Sequence, residues 1–206
     1  MKKSGGSGMK PYVVTISRQF GSLGRSIAQE LSRELGIEFY DRDIVEETAK
    51  RMGMPVSVIS DTEENSKSIY FKRQYPLGMG IPSFKDEVFL VQKNIIRDLA
   101  DKGSCIIVGR CAESILADKE NRLSVYVYAP YAARFRNCTE KLGMDETTAK
   151  RMIREVDRSR ELYHRRYCPE IKDEFTDHDL MIDSSRFGVK GSAEMLAQIV
   201  RKLFEE

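Results

Sequence analysis

S-R-Q-F-G-S-L-G-R-S, residues Ser17 to Ser26, decides the fold because of what stands on either side of it. Before it, Tyr12 to Ser17 (Y-V-V-T-I-S) is a short, β-branched, apolar run that predicts a strand. After it, Ile27 to Leu35 repeats apolar residues at helical spacing, and Gly36 supplies a stop. A glycine-bearing turn between strand and helix suits a phosphate, because backbone N–H groups converge on the anion and the helix N-terminus adds partial positive charge. Gly21 and Gly24 supply the turn, Arg25 reaches the phosphoryl groups as a fixed cation, and the Ser26 hydroxyl is placed to coordinate Mg²⁺. Against the pattern G-x-x-x-x-G-K-[ST], Gln19 stands where the first glycine belongs and Arg25 replaces the lysine. The alternative is a tight strand-to-helix turn that holds no ligand.

Working outward, Ile37 to Tyr40 predicts a second strand, Ser104 to Val108 a third between Gly103 and Gly109, Leu123 to Tyr128 a fourth and Leu180 to Ile182 a fifth. Roughly sixty residues separate the second and third, too many for a plain crossover, and they carry breakers at Pro55, Pro76, Gly78, Gly80 and Pro82. They predict a helical insert over about 42–103. Its last helix, Phe84 to Lys102, aligns Phe84, Val88, Val91, Ile95 and Leu99 toward the sheet and leaves Gln92, Lys93 and Arg97 to a cleft or to water. Helices are also expected over Tyr131 to Leu142, Thr147 to Leu162 with Asp145 as cap, and Ala193 to Phe204. Alternating strands and helices imply an α/β fold with a parallel sheet covered on both faces and ligands at the carboxyl ends of its strands. Residues 1–8 read as a flexible leader and 9–206 as one domain.

Composition narrows the partners. The chain carries 34 Lys and Arg against 32 Asp and Glu, a net charge of +2, so it has no broad field for nucleic acid or a membrane surface. No apolar run approaches the roughly 18 to 20 residues of a membrane span, and no secretory signal precedes the first strand, so a cytoplasmic protein is expected. The four cysteines, Cys105, Cys111, Cys138 and Cys168, are far apart, with only His164 and His178 to supplement them as metal ligands, and read as reduced thiols.

Charged residues gather in three places. Arg110 leaves the third strand directly after Gly109, and Asp41 and Arg42 leave the second, so all three either enter the crevice or meet water at the strand ends. The run Arg151 to Tyr167 holds seven basic residues against three acidic ones. Arg154, Asp157, Arg158 and Arg160 recur at spacings of three and four, which suits a helix surface laced with ion pairs. The surplus of arginine suits a polyanion such as a nucleoside triphosphate.

V-T-I-S-R-Q-F-G-S-L-G-R-S with G-I-E-F-Y-D-R, then C-I-I-V-G-R-C-A, then D-R-S-R and L-M-I-D-S-S, resemble in that order the motifs of the cytidylate kinase-like family, a branch of the P-loop nucleoside monophosphate kinases. The resemblance implies a three-layer α/β/α P-loop kinase fold with a five-stranded parallel sheet, a helical monophosphate-binding insert and a lid over about 154–176. It implies that Gly21, Ser22, Leu23, Gly24, Arg25, Ser26 and Arg158 bind ATP, with Ser26 on Mg²⁺. Asp41, Arg42 and Arg110 would touch the acceptor, and Arg25, Asp157 and Arg160 would act in catalysis. The implied reaction moves the ATP γ-phosphoryl group to a nucleoside monophosphate of CMP or dCMP type, in a monomer or homodimer without nucleic acid or membrane partners. Cys111 stands where true cytidylate kinases carry an aspartate, Val108 where an acidic residue is expected, and Arg42-Asp43 where they carry serine-glycine, which leaves the acceptor open. A nucleotide-binding regulatory module, and an RNA-binding protein using the basic run, are the alternative readings.

Overall fold

A computed structural model describes residues 11–64, 83–170 and 177–204, the side chains of 61–64 excepted. The expected leader, the centre of the insert and the 171–176 end of the expected lid lie outside the described residues. Every residue from Val13 to Ser17 is buried, so this strand needs a sheet position with both faces covered. It takes the central one. Strands β1 (Val13–Arg18), β2 (Glu38–Tyr40), β3 (Cys105–Val108), β4 (Arg122–Tyr128) and β5 (Leu180–Asp183) form one sheet in the order β2-β3-β1-β4-β5. All neighbours are parallel, with Val13 opposite both Cys105 and Arg122. Each strand falls within one residue of its expected limits.

The strand period of two splits the core into two layers. Val14, Ile16, Ile106, Val108, Val125 and Val127 pack with Ile27 and Leu31 of α1 (Gly24–Leu35) and Leu196 and Val200 of α8 (Ser184–Phe204). On the other face Val13, Cys105 and Ile107 pack with Ile44 of α2 (Arg42–Met52), Ile95 and Ile96 of α4 (Phe84–Lys102), and Ile115 of α5 (Ala112–Ile115). Ile59 of α3 (Val56–Glu64) adds a small cluster with Val45, Ala49 and Val88. Beyond β4, α6 (Tyr131–Arg136) continues through a wider helical turn, Asn137–Lys141, and α7 (Glu146–Tyr167) follows. Among the described residues no helix is long and apolar enough to cross a membrane.

Helix lengths depart from expectation where polar residues hide the period. α1 begins at Gly24 rather than Ile27, because Arg25 and Ser26 in its first turn are exposed and add nothing to the apolar period. α7 runs past Leu162 to Tyr167, and α8 starts at Ser184 with a break at Gly188, whose φ is 66°. Asp145 caps α7 as expected, accepting from the Thr148 amide at 2.9 Å. Gln92 departs most: it is fully buried in α4 and accepts from the Tyr163 hydroxyl at 3.1 Å, so it neither lines a cleft nor meets water. Arg97 pairs with Asp118 on the surface.

Asp86 joins the start of α4 to the end of α7. Its carboxylate accepts from Ser83, from Arg166 at 2.8 Å and from the Tyr167 hydroxyl at 3.0 Å, while Phe89 stacks on Tyr167 with centroids 4.1 Å apart. Burial alone raises the Asp86 carboxyl, but the hydrogen bonds from Ser83, Arg166 and Tyr167 outweigh it and hold its pKa at about 2. The unfolded carboxyl titrates near an ordinary value of about 3.9. The stabilisation is therefore complete above that value and is lost as the pH falls through about 2. Because Arg166 is half exposed, screening leaves a modest net effect. Asp86→Asn is expected to lower stability by ~1 kcal/mol at neutral pH in urea titrations, with the gap to the parent closing as the pH falls below about 4. A gap that is the same at pH values on both sides of that range would rule out the carboxylate as the fastening group.

Candidate functional site

At the end of β1 the chain carries Arg18 into a slot between two glycines. A Cβ on Gly24 would lie 2.8 Å from the Arg18 Cβ, and a Cβ on Gly109 would collide with Arg18 Nη1. The enclosed side chain is only 16 % exposed. Burial, and then the neighbouring Arg160, pull its guanidinium down to a pKa of about 9, with Asp41 opposing them. Asp41, buried at the start of α2, is the shared counter-ion. Arg18 Nη2 lies 3.5 Å from its carboxylate, Arg25 Nε 2.9 Å and Arg110 Nη1 3.2 Å. Among the described residues one carboxylate thus faces three guanidiniums, a grouping that suits an anion.

The turn after Arg18 is shaped by Gly21 at φ 77° and Leu23 at φ 61°, and delivers the chain into α1 at Gly24. The amides of that first turn have no acceptor inside the helix and face its open N-terminus. Contacts from α6 and α7 fix the turn. The Phe20 amide donates to Asp157 Oδ1 at 2.7 Å, Arg134 pairs with the same carboxylate, and Asn137 Nδ2 donates to the Gly21 carbonyl at 2.9 Å. The Phe20 ring packs with Cys138, Ala149 and Ile153, and a Cβ on Gly21 would stand 2.9 Å from Cys138 Sγ. Gln19, in place of the expected glycine, accepts from the Ala129 amide through Oε1 at 3.2 Å and so ties the turn to the end of β4. From α7, Arg160 Nη1 donates to the Arg18 carbonyl at 2.9 Å.

These elements enclose a cleft of about 1770 Å³. Gly21, Leu23, Gly24, Arg25, Ser26, Asp41, Arg42, Arg110, Asp157, Arg158 and Arg160 all line it, so residues singled out from four distant stretches meet in one place. Ser22 does not line it: its hydroxyl is buried and donates to the Gln19 carbonyl at 2.9 Å. Arg25 and Ser26 are exposed on the first turn of α1, with Arg25 half exposed even while paired to Asp41. Sequence reasoning gave Arg18, Arg134 and Asn137 no role. The signal for Arg18 was an arginine at the end of an otherwise apolar strand with glycines nearby; Arg134 and Asn137 carried none, since only tertiary packing brings them to the turn.

The model of the cytidylate kinase-like family matches residues 13–186. A cytidylate kinase of Methanopyrus kandleri is 23 % identical over 202 residues, covering 94 % of this chain and 95 % of its own. Among solved structures, an uncharacterised protein from Eubacterium ventriosum superposes with a TM-score of 0.69 at 26 % identity, over 92 % of this chain and 98 % of its own. A shikimate kinase from Bacteroides thetaiotaomicron gives 0.56 at 11 % identity, over 93 % and 99 %, a likeness of fold alone.

Removing the charge of Asp41 takes from the enclosed Arg18 and Arg110 the carboxylate they share. Asp41→Asn is expected to cost ~3 kcal/mol in chemical denaturation, and added sulfate should restore more stability to the variant than to the parent. An Asn variant as stable as the parent in the absence of sulfate would show that the arginines do not depend on this carboxylate.

Proposed function

Because the chain belongs to the cytidylate kinase-like family, we propose that it is a phosphotransferase that moves the γ-phosphoryl group of Mg²⁺-ATP to a nucleoside monophosphate of CMP or dCMP type, or to a related small acceptor. The observation that carries this reading is the convergence of Arg18, Arg25 and Arg110 on one buried aspartate at the mouth of a glycine turn, with Arg160 reaching over from α7. Phosphoryl transfer asks for little covalent chemistry from the protein; positioning and charge stabilisation carry it. A triphosphate seated on the first-turn amides of α1 would meet Arg25 directly, and anion binding would draw Arg25 from Asp41 at small cost because it is already half exposed.

Arg160 sits on the turn and stands ready to compensate charge as it moves to the acceptor. Arg158 lines the same cleft and would serve the nucleotide. Asp157 acts as a positioning residue, since its carboxylate holds the Phe20 amide and Arg134. Bound Mg²⁺ supplies charge neutralisation between phosphate oxygens. It takes oxygen ligands and keeps several waters, so the exposed Ser26 hydroxyl together with the nucleotide's own phosphates forms a fitting donor set. On the acceptor side, Asp41, Arg42 and Arg110 border α2–α4, the region assigned to the monophosphate, while α7 would belong to the lid that excludes water.

The decisive test is diphosphate formation from Mg²⁺-ATP with cytidine, deoxycytidine, uridine, adenosine and guanosine monophosphates. Turnover with one pyrimidine monophosphate is expected. ATP binding with no product on any acceptor of this panel would favour the regulatory module. Arg25→Ala is expected to abolish turnover with the fold intact. Arg160→Ala should lower kcat by about a hundredfold or more while changing ATP affinity little; an unchanged kcat would remove Arg160 from the transition state.

A further inference from the structure

One residue beyond Arg110 the chain enters a second cluster that phosphate chemistry does not use. Cys111 and Glu113, at the exit of β3, meet His164 and Cys168, at the end of α7, and one ligand atom from each lies within 4.8 Å of all the others. Cys111, Glu113 and Cys168 are buried and His164 is partly so. The two sulfurs are joined as a disulfide, their Cα atoms 6.5 Å apart. The Glu113 carboxylate is 2 % exposed. Its Oε2 accepts from the Ser17 hydroxyl at 3.0 Å, but its Oε1, facing His164 Nδ1 at 3.5 Å, has no hydrogen-bond partner.

A buried carboxylate oxygen with no partner is costly, and the disulfide does nothing to relieve it. A cation between the four groups does. We propose that, with both cysteines reduced, Cys111, Glu113, His164 and Cys168 bind one Zn²⁺ ion in a tetrahedral site. Two thiolates, an imidazole and a carboxylate form a donor set that suits zinc and disfavours magnesium or calcium. Metal–ligand bonds of about 2.0 to 2.3 Å place the ligand atoms of a tetrahedral site roughly 3.3 to 3.8 Å apart. The His164–Glu113 separation already falls there, and the widest separation in the cluster needs to close by about 1 Å.

Four protein ligands leave no open position, so the ion is structural. It fastens the last turn of α7 to the exit of β3, through a carboxylate whose second oxygen holds Ser17 beneath the phosphate-type turn. Cys168 follows the last residue of α7, its amide donating to the His164 carbonyl at 2.7 Å, and Arg160 lies one turn before His164. The ion therefore sets the height at which Arg160 meets Arg18. The site stands independently of whether the protein transfers phosphate.

The test uses the full chain, purified with a reductant and without chelators. Zinc released on unfolding should amount to about one ion per chain. Replacement by Co²⁺ should give intense tetrahedral visible bands together with thiolate-to-metal charge transfer in the near ultraviolet. Cys111→Ser and Cys168→Ser should each weaken zinc binding by at least about a hundredfold, beyond what loss of an outer-sphere partner does. Zinc counting and cobalt spectra on the parent protein need no variant to fold. Four free thiols, those of Cys111 and Cys168 included, with no charge-transfer band would overturn the proposal, as would zinc retained at full affinity by both serine variants. So would a mass lower by two hydrogens that persists under reductant, which marks a disulfide only.

Discussion

A buried guanidinium governs the geometry of the cleft. Arg18 ends the central strand and cannot turn outward, because α1 and the exit of β3 close over it. Its enclosure demands glycine at 24 and at 109, where any Cβ would meet the arginine. It also demands an anion, which Asp41 supplies from the start of α2. Among the described residues that carboxylate serves Arg25 and Arg110 as well, so three guanidiniums share one acceptor, an arrangement that suits a further anion. A fully neutralised cluster would hold the fold equally well and attract nothing.

The same turn is fastened from its far side by residues that charge patterning alone could not sort. The run from Arg151 to Tyr167 does two things on two faces of one helix. Outward, Arg151 pairs with Glu155 and Arg165 with Glu161, the solvated i, i+4 pattern. Inward, Asp157 takes the Phe20 amide and Arg160 gives to the Arg18 carbonyl. Both readings of the run are therefore true of different residues. Asp157 and Arg160, three apart and so on one face, are separated by role: the carboxylate binds a backbone donor and the guanidinium a backbone acceptor.

What could be read in the sequence follows from what repeats locally. Strands buried on both faces are uninterrupted apolar runs bounded by glycine, and all five were visible within a residue. The first turn of α1 was not, because its residues face a cleft and carry no apolar period. Gln92 escaped for the opposite reason: a polar letter on a helix suggests solvent, and nothing near it in sequence announces the distant Tyr163 hydroxyl that donates to it in the core. Most cleft residues were legible because they sit at strand exits, where this topology puts ligands whatever the loops do. The cluster of Cys111, Glu113, His164 and Cys168 was hidden by distance along the chain. C-x-E and H-x-x-x-C lie about fifty residues apart, and each half is too short to signal alone.

The exit of β3 shows why these two sites belong together. Gly109, Arg110 and Cys111 hold φ of 74°, 57° and 55°, three left-handed residues in succession, two of them with side chains. Each non-glycine residue in that conformation costs about 1 to 2 kcal/mol, so the turn persists only if both neighbours hold it. Gly109 is placed by Arg18, Arg110 by Asp41 and Cys111 by Cys168. A relaxed turn would move Arg110 off the carboxylate and Cys111 off the end of α7 together, since one short peptide segment carries both. The arginine cluster and the cysteine cluster are thus two ends of one strained turn, and what fixes the second helps to keep the first aimed into the cleft.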